Sequence, residues 1–284
     1  MTSMTDANTL KYRRMARKTG NKLLSYVILI AVAFICAGPF LWLVSTSFKS
    51  NENIYAVKFI PENPTLQAYF DVFKLLDIGR MLTNSVIIAG GGVLLNLILA
   101  ALCAYPLAKM DFYGKKLVNG ALLATMIIPA AAGLVVNYIT IQNLHLGENY
   151  WGVILPNSVN VFSIIMLRQA YLSVPRELLD SARIDGAGEL RVWWSILLPQ
   201  IIPSMLTVVI MDFVNKWNSF LWPLLVLKVD QYPVATGMQY ISQSFEYKFV
   251  NVAAGTVLSV LPVIIIFVIF QKQYVNNSAG ALKG

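Results

Sequence analysis

The chain has 284 residues, of which 57% are hydrophobic and only 13% charged, whereas a soluble globular domain carries about 25% charge. That composition excludes an ordinary soluble enzyme and places the chain in a bilayer. The net charge of +8 does not point to nucleic acid, because the basic residues are scattered over the flanks of apolar runs instead of forming one stripe.

A basic arm, residues 1–22, opens the chain with Lys11, Arg13, Arg14, Arg17, Lys18 and Lys22. The apolar run Leu23 to Val44 that follows is longer than the core of a secretory signal and lacks a small-x-small cleavage site, so it reads as a retained first helix. Five further runs are long enough to cross about 30 Å of hydrocarbon. They are Met81 to Ala108, Leu117 to Leu144, Asn149 to Leu167, Val192 to Met211 and Phe249 to Gln271. The shorter run Trp217 to Leu227 reads as a re-entrant or interfacial piece. None of these alternates with period two, so helices must satisfy the backbone in lipid and the predicted fold is all-α, polytopic, with six transmembrane helices. Prolines in or near the runs (Pro39, Pro106, Pro129, Pro156, Pro199, Pro203 and Pro262) predict kinks.

Lys and Arg counted loop by loop give fifteen residues on the side of the arm, the second-to-third loop, the fourth-to-fifth loop and the tail, against seven on the other. Both termini are therefore expected in the cytoplasm. The predicted organisation is an arm at 1–22, a first helix with its outer loop at 23–79, a core of five helices at 80–272, and a tail at 273–284. Cys36 and Cys103 both fall inside spans and imply no disulfide framework.

Seven ionised side chains crowd into Arg176 to Arg191: Arg176, Glu177, Asp180, Arg183, Asp185, Glu189 and Arg191. Inserting them in a membrane interior would cost about 20 kcal/mol, so this segment stands in water, on the cytoplasmic side by the loop count. Pro175 suits a helix start, and Leu179, Ala182, Gly186, Leu190 and Trp193 recur at spacings of three and four. Ala182 and Gly186 are the small members of that stripe; Gly186 alternatively ends one short helix and begins another. Four acids against three bases suit a protein groove better than an anionic headgroup layer.

The spacing Asp180-Ser181-Ala182, three residues, Gly186, nine residues, Ile196, one residue, Leu198-Pro199 resembles the EAA loop of type I ATP-binding-cassette importer permeases, with Asp for Glu and Ser for Ala as departures. "VPRELLDSARIDGAGELRVWWSILLP", "FIPENPTLQAYFDVF", "WNSFLWPLLVL" and the ending "AGALKG" are similar to the carbohydrate-uptake branch of that family, in particular its maltose-type second permease subunit. The resemblance implies a type I permease fold in a bacterial or archaeal plasma membrane, with a coupling helix at 175–191. It further implies a homologous second permease, two ATPase subunits that bind ATP and Mg, an extracytoplasmic solute-binding protein, and a sugar as cargo. Glu177, Asp180, Ser181, Ala182, Arg183, Asp185 and Gly186 would then dock the ATPase.

No phosphate-cradling G-x-x-x-x-G-K-[ST] loop is present, and one histidine, His145, with two separated cysteines makes no zinc site. The chain is thus expected to be non-catalytic and to hold no cofactor or metal. Asp212, with Lys216 at i+4, reads as an interfacial ion pair, since twenty residues before it already span the core. Asn84, Asn137, Tyr138, Asn157 and Asn160, with Asn96 and Ser158 beside them, are the uncharged polar groups a sugar pathway would use; each would equally serve to bridge helices. The rival readings are a glycerol-phosphate importer permease of the same branch, a self-sufficient carrier or channel, and a membrane scaffold.

Overall fold

The computed structural model describes residues 3–50, 58–242 and 248–281. The side chains of the basic arm up to residue 21 and of the tail from Lys272, with the end of "AGALKG" and Lys283, lie outside the described residues. Within these limits the chain is helical, with no strand among the described residues, as the apolar runs without period-two alternation require.

Residues 1–71 with 248–257 form one compact unit, and 72–247 with 258–284 a second. In the first unit, α1 (Ser3–Ser47) carries an apolar stretch from Leu24 that runs through Pro39. Phe48 accepts a hydrogen bond from the Thr65 amide at 2.8 Å, and the Ser47 and Tyr69 hydroxyls meet at 2.8 Å, which fold the chain after α1 back onto its end. The helix α2 (Gln67–Leu75) begins here.

The second unit is built around α3 (Ile78–Lys109), whose start is capped by Asp77 accepting from the Arg80 amide at 3.0 Å. Ala100, Ala101, Ala104 and Ala108 form a buried face of small side chains on α3. Against it lie Ile164, Leu167 and Tyr171 of α7 (Val161–Ser173), because alanines let two backbones approach closely. Leu197, Ile201 and Val208 close the same core from the long helix Glu189–Trp217. That helix consists of the short turn α9 (Glu189–Arg191), a π-helical stretch at Val192–Leu197, and α10 (Leu198–Trp217). The wide turn lies just before Leu198-Pro199, where the proline removes one ladder donor.

Two of the six expected crossings are discontinuous. The third divides into α4 (Lys115–Thr125) and α5 (Leu134–Asn143), and the fourth into α6 (Tyr150–Ile154) and α7. Pro129 stands in extended backbone between the first pair, and Pro156 follows α6. At the second break Asn160 restarts the chain by capping α7 with its side chain. Among the described residues, four helices are long and apolar enough to cross a membrane: Leu24–Ser47, Ile78–Lys109, Glu189–Trp217 and Phe249–Gln271. The last belongs to α13 (Phe249–Ala281), which continues through Pro262. The run Trp217 to Leu227 holds only α11 (Leu221–Val226), and α12 (Val234–Ser242) follows.

Candidate functional site

A cavity of about 400 Å³ opens among α3, the α6–α7 break and α10. Its centre is ionic. Asp212 is 4% exposed and receives the Lys216 ammonium on both carboxylate oxygens at 2.7 Å. Asn96 donates its amide to the same carboxylate at 3.0 Å and to Ser163 at 3.0 Å, while its carbonyl accepts from the Asn160 amide at 2.8 Å. A buried carboxylate is tolerated only when opposite charge and donors replace its lost water, and both are present. The expected i,i+4 pair is therefore there, and it is enclosed within the chain. Asn96 lies near the middle of α3 and brings the pair into the interior.

Gly92 makes room for this arrangement, since a Cβ there would stand 2.7 Å from the Lys216 side chain. The expected pathway residues divide. Asn157 and Asn160 line the cavity. Asn84 does not; buried at 2%, it donates to the carbonyls of Asp230 and Tyr232 and accepts from the Tyr150 hydroxyl at 2.7 Å, so it braces a loop. Asn137 and Tyr138 stand on the exposed surface of α5, away from the cavity lining. Asn215 and Ser219 also line it, and sequence reasoning missed them although their spacing from Asp212 puts all three on one face of the chain.

At the other end of α3 lies the charged segment. Its helix α8 (Arg176–Ile184) ends at Gly186, which adopts φ +81. The Gly186 amide bonds the Arg183 carbonyl and the Ala187 amide the Ala182 carbonyl, both at 3.0 Å, which is the Schellman arrangement that favours glycine. Gly186 is thus a helix stop and not a member of a helical stripe. Leu179 and Ala182 face inward, buried in the chain's own core at 2% and 9%, so the small-residue stripe is already occupied. What remains outward is Glu177, Asp180, Ser181, Arg183 and Asp185, with Ile184 and Leu190 exposed at 86% and 78%.

Side-chain bonds tie the segment to its neighbours. Arg183 bonds Glu189 at 2.9 Å and Asp180 at 3.3 Å, and the Tyr105 hydroxyl donates to Glu189. Lys109 donates to the Val174 carbonyl at 2.5 Å, and the Trp193 indole to the Tyr171 hydroxyl at 2.8 Å. The loop at 176–191 is thereby clamped to the ends of α3 and α7. No cluster of three or more metal-ligating side chains occurs among the described residues, and His145 is an exposed residue at φ +54.

Residues 92–276 match the family described as binding-protein-dependent transport system inner membrane component. The chain belongs to that family. This permease is 32% identical over 282 residues to an arabinooligosaccharides transport system permease protein of Halalkalibacterium halodurans, covering 95% of this chain and all of the relative. It is 30% identical to a diacetylchitobiose uptake system permease protein of Streptomyces coelicolor over 89% of this chain and 86% of that one. In fold it is similar to a chain in the crystal structure of a bacterial ABC transporter involved in alginate import, with a TM-score of 0.79, 23% identity, and coverage of 91% and 97%. The permease therefore has the type I importer fold expected from its EAA-like spacing. It is a multi-pass membrane protein and a translocation subunit without catalysis of its own.

Proposed function

We propose that this permease forms half of the translocation pathway of an ATP-driven importer for a di- or oligosaccharide, in a bacterial or archaeal plasma membrane. In this reading six crossings, two of them broken, leave both termini on one side, and the Lys and Arg count makes that side the cytoplasm. A homologous second permease supplies the other half of the pathway, an extracytoplasmic solute-binding protein delivers the sugar, and two ATPase subunits hold ATP and Mg.

The observation that carries the sugar assignment is the neutrality of the cavity. Asp212 and Lys216 cancel, and the remaining polar lining consists of amides and hydroxyls, Asn157, Asn160, Asn215 and Ser219 among them. Such groups replace the water lost by sugar hydroxyls one for one, whereas a phosphate ester would need an unspent cation. The oligosaccharide names of the relatives support the same class.

The exposed part of 176–191 docks the ATPase. Nucleotide shifts the inward and outward states only by the difference in its binding energy between them, so the docking piece must transmit force without yielding. The Arg183–Glu189–Tyr105 clamp gives it that stiffness. In the assembled complex, Asp180→Lys is expected to reduce both recovery of the ATPase subunits and sugar-stimulated ATP hydrolysis. Unaltered values for both remove the docking assignment.

A further inference from the structure

Three buried side-chain polar atoms in the described structure have no hydrogen-bond partner: the Trp42 indole nitrogen, the Thr46 hydroxyl and the Lys49 ammonium. They fall at spacings of four and three, at the outer end of the first span. Lys49 is 2% exposed and its ammonium lies 6.0 Å from the centre of the Trp42 ring, within reach of a cation–π contact. It lines a cavity of about 310 Å³ whose other charged walls are Lys248 and Asp71. Asp71 makes no ion pair with Lys49 and accepts instead from the Gln67 amide at 2.7 Å. Among the described residues the lining therefore carries one positive charge in excess.

A buried ammonium without a partner is costly, and such a group in a native fold calls for an explanation, an arriving counter-ion among them. The rest of the lining is Ser50, Thr65, Gln67 and Asn251. These are uncharged polar groups, from the exposed Gln67 to the buried Asn251, in contrast to the exposed apolar face of the first span, so a charged partner enters from the polar side and not through lipid. Phe59, Ile60, Leu66 and Phe70 of the same unit stand 49% to 82% exposed, an apolar surface of the kind that surrounds a buried anchor in protein contacts. We propose that this cavity receives the carboxylate of an Asp or Glu side chain from the docking extracytoplasmic solute-binding protein, with Lys49 as its counter-ion. This rests on the topology given above, which puts Lys49 on the outer face.

The structure thus predicts a split between stability and binding. In the purified importer, Lys49→Met removes an uncompensated charge and raises the thermal midpoint of the free complex, yet weakens the solute-binding protein by about tenfold or more. Lys49→Arg retains most of the affinity. Unchanged affinity in Lys49→Met overturns the proposal, and so does loss of the second permease from the complex, which would make the partner a subunit within the membrane. An impermeant maleimide applied to Lys58→Cys, with Cys36 and Cys103 replaced by alanine, separates the two levels. Labelling only from inside breaks the topology itself; labelling from outside with unchanged affinity breaks the carboxylate site alone.

Discussion

Lys216, with its side chain 12% exposed, and Lys49, at 2%, both keep an ammonium mostly out of water, and they live under opposite conditions. Lys216 is neutralised within the chain by Asp212, and Asn96 and Gly92 complete and accommodate the pair. Lys49 has a cavity and no counter-ion. The contrast sets the two proposals side by side: a charge compensated inside the chain fits architecture and a neutral cavity, while an uncompensated one fits a group completed by a partner.

The largest effect is expected where compensation is broken. Asp212→Leu leaves Lys216 buried alone and should cost about 3 to 5 kcal/mol, seen as a lower thermal midpoint and poor yield of the complex. Asp212→Leu combined with Lys216→Met should recover most of that loss. If the single and double substitutions cost the same, the two side chains are not coupled. The opposite sign at Lys49→Met is the other half of the comparison. Next in size is Gly186→Ala, which forces an L side chain into φ +81 with open space around it. Strain alone should then cost about 1 kcal/mol, less for Gly186→Asn, measured by denaturation of the solubilised complex.

Tyr105→Phe removes the hydroxyl that holds Glu189 and should cost about 1 kcal/mol, with a matching fall in coupling of ATP hydrolysis to uptake. Smallest is Arg80→Ala. Arg80 and Asp230 pair at 2.9 Å with both side chains 54% exposed, so at most about 0.5 kcal/mol is expected, vanishing at high salt.

The four long helices were legible because hydropathy over twenty residues is a local property. The breaks at Pro129 and Pro156 were not, since a run of apolar residues reads the same whether or not its backbone continues, and proline is tolerated within α1, α3, α10 and α13. For the charged segment, its residues and its solvent exposure could be read, but not which face was free. Leu179 and Ala182 turned inward because Gly186 ends the helix and the chain's own core claims them. Asn84, Asn157 and Asn160 are chemically alike in the sequence; only the neighbours that α3, α6 and α10 bring to them decide which brace a loop and which line a cavity. Lys49 gave no signal, because nothing in its sequence neighbourhood announces burial.

The central claim is that 176–191 is the rigid piece gripped by the ATPase from the cytoplasm. Ile184, the most exposed apolar side chain of α8, tests it most directly. With Cys36 and Cys103 replaced by alanine, Ile184→Cys should form a disulfide with a cysteine placed in the helix-binding cleft of the ATPase subunit, and that cross-link should block sugar-driven ATP turnover. Labelling of Ile184→Cys by an impermeant reagent solely from outside intact cells would contradict the account.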